Sequence, residues 1–378
     1  MRGAPLPEAA DVVVIGGGVM GTSILFHLAE AGVTDAVLVE RGQLGSGSSS
    51  KAAGGVRTQF SDELNVLLAQ RSLAAFEDFG RRPGWEIDLK QVGYLFLLTR
   101  EEDVREFEAG VALQNRLGVP SRMLTPAEAR DVCPPVEVDG VLAAAFCATD
   151  GHLTPEAVVA GYAFAARGLG AHIQTRCEVT GLRPGVVTTD QGDIATPAVI
   201  CAAGAWSAAV GEMAGVHLPV TPMRRQIVFT EPVQGLPDDL PMTIDFASSF
   251  YFHREGPGLL MGMSYAAQEP GFSTEQSDDW LPDLQAALER VAPSVAGAGI
   301  KGGWGGLYEV SPDHNALIGR SGDLLYATGF SGHGFLQAPA VGEVVRDLYL
   351  GLEPFADVSA FGAERFDAGR ERPERNVV

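Results

Sequence analysis

The sequence predicts a mixed α/β fold of two domains, and three observations carry that expectation. A short apolar run near the start, Val12-Val13-Val14-Ile15, breaks into glycines and then into helical spacing. A second strand-like run near the end, Tyr326-Ala327-Thr328, breaks into glycines in the same way. The length of 378 residues exceeds what one typical core holds and suits two domains.

Taken in order, Asp11 to Ile15 predicts a buried strand and Gly16 to Gly18 a tight turn. A helix follows from about Val19, with Ile24, Leu25, Leu28 and Ala29 at helical spacing and Gly32 placed to stop it. A second strand, Ala36 to Val39, ends at Glu40. Glu101 to Leu117 reads as an amphipathic helix. Tyr251-Phe252-His253 and Leu259-Leu260-Met261 read as strands. Val199-Ile200-Cys201 is a further strand leading into a small-residue turn, with Cys201 packed in the core. After Gly329-Phe330-Ser331-Gly332-His333-Gly334-Phe335 a helix is predicted from about Pro339 to Leu350.

Composition narrows the function. A formal net charge of −21 repels phosphate backbones and anionic membranes, so nucleic acid is not expected as a partner. No stretch is long and apolar enough to span a bilayer. Met1 to Pro5 lead through Glu8 into the first strand without the apolar core of a signal peptide, and a cytoplasmic location is expected. The cysteines, Cys133, Cys147, Cys177 and Cys201, form no CxxC pair, so neither a metal site nor a disulfide framework is indicated.

The first turn reads Gly16-x-Gly18-x-x-Gly21. Gly16 permits the tight turn, Gly18 lets backbone approach a pyrophosphate, and Gly21 lets the helix pack on the strand. The helix from Val19 and Met20 points free N–H groups at the phosphates. Glu40 stands nineteen residues after Gly21, where an acid binds ribose hydroxyls and disfavours a 2′-phosphate. These features predict dinucleotide binding without separating FAD from NAD. The polar, small segment Gly45 to Gly55 favours FAD. It can supply hydroxyls and backbone N–H groups to the pyrophosphate and ribityl chain. At the other end Gly332 and Gly334 allow close backbone approach. N–H groups and a helix N-terminus there would stabilise negative charge on a reduced flavin. Together the two ends predict FAD bound along its length. His333 reads either as a base or, preferably, as a residue that orients this turn or contacts the flavin.

With these motifs in view, the chain resembles the D-amino-acid-oxidase-like FAD oxidoreductases, most of all the β subunits of sarcosine oxidase and dye-linked L-proline dehydrogenase. The resemblance rests on Gly16–Gly21, Ser46–Arg57, Phe60–Val66, Gln91–Leu98, Thr149–Pro155, Val199–Ser207, Ser311–Gly319 and Gly329–Glu343. It implies a Rossmann-type FAD domain from residues 1–88, 150–218 and 305–378. An antiparallel-sheet substrate domain, from 89–149 and 219–304, is interleaved with it. It also implies FAD contacts at Glu40 and Arg41, at Ser48, Ser49, Ser50 and Lys51, and at Ala53, Gly54 and Gly55. Val179 would meet the adenine through its backbone. Ala202, Gly204 and Trp206 would lie beside the cofactor, as would Gly306 and the run from Gly332 to Leu336.

Relatives that bind FAD covalently use a histidine where Lys51 stands or a cysteine where Gly306 stands, so non-covalent FAD is expected. Arg57 is the first choice for the substrate carboxylate, with Arg224 and Arg225 behind it. A second clamping lysine of the oxidases would fall at Leu336. Tyr251 and Tyr308 are expected to face the site. The implied reaction is hydride transfer from a secondary or N-methyl amino acid to flavin N5, giving an imine, with proline ahead of sarcosine. Leu260 and Ser264 replace a lysine and a histidine of oxygen-using relatives, which favours transfer to a second flavin, a quinone or a dye. A peroxide-forming glycine, sarcosine or D-amino-acid oxidase and an FAD electron-relay subunit of a larger complex are the alternatives. His172 is noted because some β subunits carry a second flavin at an interface.

Overall fold

The structure is a computed structural model that describes residues 5–377. Met1 to Ala4, on which the expectation about the amino-terminal segment partly rests, and Val378 lie outside it. Two sheets dominate. The first has six strands, in the order Leu317–Ser321, Leu324–Thr328, Val199–Cys201, Val12–Ile15, Ala36–Glu40, His172–Thr175. All neighbours are parallel except the antiparallel pair Leu317–Ser321 and Leu324–Thr328. Its central strands are apolar along their whole length because helices and loops cover both faces. On one face Val19–Glu30 packs between Pro155–Gly168 and Gly334–Leu350. The first helix ends where expected, with Gly32 at φ +93°.

The final helix differs from expectation. It begins at Gly334 rather than near Pro339, so its N-terminus is part of the glycine turn itself. Pro339 therefore sits inside a helix, where a missing N–H ordinarily costs about 3 kcal/mol. Locally the ladder is replaced: Ala340 N donates to Ser72 Oγ at 3.1 Å, and the Ala338 carbonyl accepts from Ser23 Oγ at 2.8 Å.

The second sheet has eight strands. Their order is Ile300–Val310, Thr221–Thr230, Gly258–Met263, Phe250–Glu255, Met242–Asp245, Tyr94–Leu98, Ala143–Cys147, Arg122–Leu124. Only the pair Met242–Asp245 and Tyr94–Leu98 is parallel. Alternation sorts its faces. Tyr94, Phe96 and Leu98 pack with Phe107 and Val111 of the helix Glu101–Arg116, while Leu95 and Leu97 join Trp280, Leu284 and Leu288 on the other side. The strands expected around 251–253 and 259–261 are neighbours here. Ile300–Val310 runs through residue 305 and is hydrogen-bonded along its length to Thr221–Thr230. The chain thus visits the first sheet, the second, the first, the second and the first again. Among the described residues, no helix is long and apolar enough to cross a membrane. All four cysteines are buried and unpaired.

Candidate active site

A cavity of about 580 Å³ is lined by residues of both sheets. Its first wall is backbone. Gly16 adopts φ +114°, and a Cβ there would lie 2.3 Å from the Ala202 carbonyl oxygen. A Cβ on Gly21 would lie 1.9 Å from the Gly16 oxygen, so Gly21 holds the helix against the strand without lining the cavity. The helix that starts at Val19 has a glycine, Gly18, as its N-cap residue and no acid in its first turn, so its N-terminus brings positive partial charge to the cavity. Ser49 Oγ accepts from Val19 N at 2.9 Å. Glu40 accepts from Gly17 N at 2.7 Å and Gly42 N at 2.6 Å, which fixes its carboxylate on the wall. Arg41 lies 3.9 Å over the Trp206 ring, whose indole stacks on Phe272 at 5.6 Å. Val179, Ala202 and Gly204 complete this end.

Ser48, Ser49, Lys51, Ala53, Gly54 and Gly55 also line the cavity, together with Met20; Ser50 does not. Gly54 is required, since at φ +77° a Cβ would meet the Leu153 oxygen at 2.2 Å. A bare glycine turn, a helix N-terminus with its serine and a fixed acid form a cradle that fits the pyrophosphate and ribose of FAD. Gly306 faces Lys51, and a Cβ on Gly306 would come 2.6 Å from the Lys51 Cβ. Lys51 and Gly306 thus stand side by side at the cavity, and neither is a histidine or a cysteine.

The opposite wall comprises Gly332, His333, Gly334, Phe335 and Leu336. Gly332, at φ +97°, leaves room for the Tyr308 ring, which a Cβ would meet at 2.4 Å. Arg57 is buried here. Its guanidinium donates to the carbonyls of Gln59 and Asn376 and, at 3.0 Å, to His333 Nε2. It lies 4.1 Å over the Phe60 ring. Burial, then the Arg57 charge, hold the His333 imidazole well below its usual range, so the ring is neutral. Glu309 Oε2 accepts from Thr328 Oγ1 at 2.7 Å and Gly329 N at 3.1 Å, and burial pushes its carboxyl up to about 7.

Between these walls stand Arg225, Tyr94, Tyr251 and Tyr308, with Ile227, Met242 and Ile244. Burial raises all three phenols, which therefore stay protonated and able to donate. The Arg225 guanidinium lies 5.2 Å from the Tyr308 ring. Its Nη1 donates to the Arg224 carbonyl at 3.1 Å, and its buried Nε has no partner.

The three candidate arginines are placed differently. Arg57 is on the wall, with Nη1 and Nη2 already bonded to Gln59, His333 and Asn376. Arg224 points the other way, to Gln268 Oε1 at 2.8 Å and the Glu275 carbonyl, and is off the wall. Arg225 keeps a free donor. Leu260, Ser264 and His172 are also off the wall. Cys201 is in the core. The sequence analysis missed Tyr94, Met242, Ile244, Phe272 and Glu309. Tyr94 lay within a quoted landmark, Gln91–Leu98, yet nothing local marks it as facing a cavity.

Residues 11–348 match the family model described as DAO, FAD dependent oxidoreductase. Human mitochondrial sarcosine dehydrogenase is 32% identical over 96% of this chain and 42% of its own length. The chain thus spans under half the length of the curated relatives it matches most strongly. A glycine oxidase from Geobacillus kaustophilus is 30% identical over 94% of this chain and 97% of its own. Among solved structures, L-proline dehydrogenase from P. horikoshii superposes with a TM-score of 0.91 and 33% identity, covering 97% of this chain and all of that one.

Proposed function

Because the chain belongs to the DAO family of FAD-dependent oxidoreductases, we propose that it oxidises a secondary or N-methyl amino acid, L-proline ahead of sarcosine, to the imine. The observation that carries this reading is the Arg225 guanidinium on the cavity wall beside Tyr308, which donates to the Arg224 carbonyl through Nη1 and, among the described residues, pairs with no carboxylate. A half-buried cation with a free donor accommodates a carboxylate by a charge-assisted hydrogen bond. Arg225 would bind the carboxylate, and the protonated phenols of Tyr251 and Tyr308 would donate to it. Ile227, Met242 and Ile244 would pack on the substrate's carbon skeleton and keep water out.

Bound FAD supplies the oxidant, a ring that accepts hydride at N5. The substrate would lose that hydride from the carbon bonded to nitrogen, the nitrogen lone pair would become the second bond of a cationic C=N iminium, and its N–H proton would pass to water to leave the imine. An amine bound unprotonated in this low-dielectric site needs no dedicated base. Water then hydrolyses the imine.

In this reading the electrons pass to an acceptor other than oxygen, such as a second flavin, a quinone or a dye. Similarity to glycine oxidase along nearly all of both chains supports a second reading, in which oxygen reoxidises the flavin and peroxide forms. The test is an anaerobic visible spectrum of the protein with L-proline, and with sarcosine for comparison. Bleaching by proline is expected, whereas a flavin band untouched by either amine would sink the assignment. Peroxide release in air separates oxidase from dehydrogenase.

A further inference from the structure

The segment from Arg372 to Asn376 is threaded back into the molecule beside the site. Glu374 is 3% exposed and Asn376 1%. The Glu374 carboxylate accepts five hydrogen bonds. Oε1 takes Ser61 N at 2.9 Å, Ser61 Oγ at 2.7 Å and Asn376 N at 3.0 Å. Oε2 takes Asp62 N at 3.1 Å and Asn65 Nδ2 at 2.8 Å. A buried carboxylate so fully satisfied is a rigid anchor. It sets the Asn376 carbonyl on Arg57 Nη2, the same nitrogen that reaches His333 Nε2. Phe60 braces both partners. It lies under the guanidinium and meets the imidazole edge-on at 5.1 Å.

Guanidinium N–H groups only donate, so His333 Nε2 must accept. A neutral imidazole with Nε2 accepting carries its one proton on Nδ1. The ring is neutral for the burial and charge reasons given above, and His333 lines the cavity.

We propose that the C-terminal segment is part of the site: Glu374 and the Asn376 carbonyl act through Arg57 to hold His333 as the Nδ1–H tautomer, a fixed hydrogen-bond donor toward the FAD cavity. Glu374, Asn376 and Arg57 are positioning residues here. The inference rests on FAD occupying the cavity and on no particular substrate.

The experiment uses FAD-loaded protein labelled with 15N-histidine, with the His333 ring nitrogens assigned by their loss in His333→Gln. The Nδ1–H form should exceed the Nε2–H form by at least about tenfold, as one charge-assisted hydrogen bond supports. A dominant Nε2–H form overturns the proposal, and this measurement needs no folded variant. Glu374→Ala, or removal of residues from 374 onward, should bring the two forms toward parity and shift the visible spectrum of bound FAD. An unchanged ratio in a folded variant overturns the role of the segment. His333→Asn supplies an amide N–H near the Nδ1 position with no tautomer to choose. In that background Glu374→Ala should leave the FAD spectrum unmoved, and a shift as large as in the histidine protein would also overturn it.

Discussion

The two ends of the cavity are made by different means. At the dinucleotide end one contiguous stretch, Gly16 to Glu40, supplies turn, helix and acid, and the fit comes from side chains that are absent. At the other end Tyr94, Arg225, Met242, Tyr251 and Tyr308 come from five strands of one sheet, and the shape comes from what their side chains place there. A local backbone device tolerates no added atom. An assembled side-chain device tolerates substitution but loses specificity. The first end should fail by losing the cofactor, the second by losing the substrate.

Gly16→Ala strikes the first end hardest. A Cβ 2.3 Å from a backbone oxygen, at φ +114°, should cost about 4 kcal/mol or more. The purified variant should be unstable and colourless, and a normal FAD content with unchanged Tm would break the comparison.

Glu309→Gln comes next. Burial raises this acid from 4.5 to about 7, so between those values the folded state holds a proton that the unfolded state has lost. Stability therefore falls as pH rises through that window, by on the order of 3 kcal/mol. Asp150, pushed up to about 6, adds a slope of the same sign. The glutamine variant should flatten the decline seen by denaturant titration at pH 5 and 8; an identical decline would refute the assignment.

Arg225→Ala sharpens the contrast. Loss of one charged hydrogen-bond partner should raise KM about 100-fold with FAD content unchanged, while Arg57→Ala should disturb the bound flavin instead. If KM responds to Arg57 alone, the carboxylate belongs there. The smallest effect is expected at the rim. Phe272→Ala removes one stacked ring from Trp206, about 1 kcal/mol, and should weaken FAD binding roughly fivefold by fluorescence titration. No change would detach that stack from cofactor retention.

What was legible in the sequence follows the same division. Gly16, Gly18, Gly21 and Glu40 could be placed because their roles depend on neighbours within one βαβ unit. The choice between Arg224 and Arg225 could not, since adjacent strand residues face opposite ways and only the register opposite Leu307 and Gly306 decides which faces the cavity. Arg57 was placed on the wall, yet its engagement by Asn376, 319 residues away, has no local signature. The final helix was begun too late because proline usually opens a helix, and the Ser72 hydroxyl that tolerates Pro339 inside one comes from a distant element.

The alternation of the chain between the two sheets also bears on how such a protein can change. The eight-stranded sheet lies in two stretches, about 94–147 and 221–310, separated by strands of the other sheet. Recombination with a related gene would need four crossovers to exchange it whole. A single crossover between residues 202 and 220 leaves each parent contributing part of both sheets. A change confined to the wall that the eight-stranded sheet contributes is thus made more simply by point substitution than by exchanging the sheet.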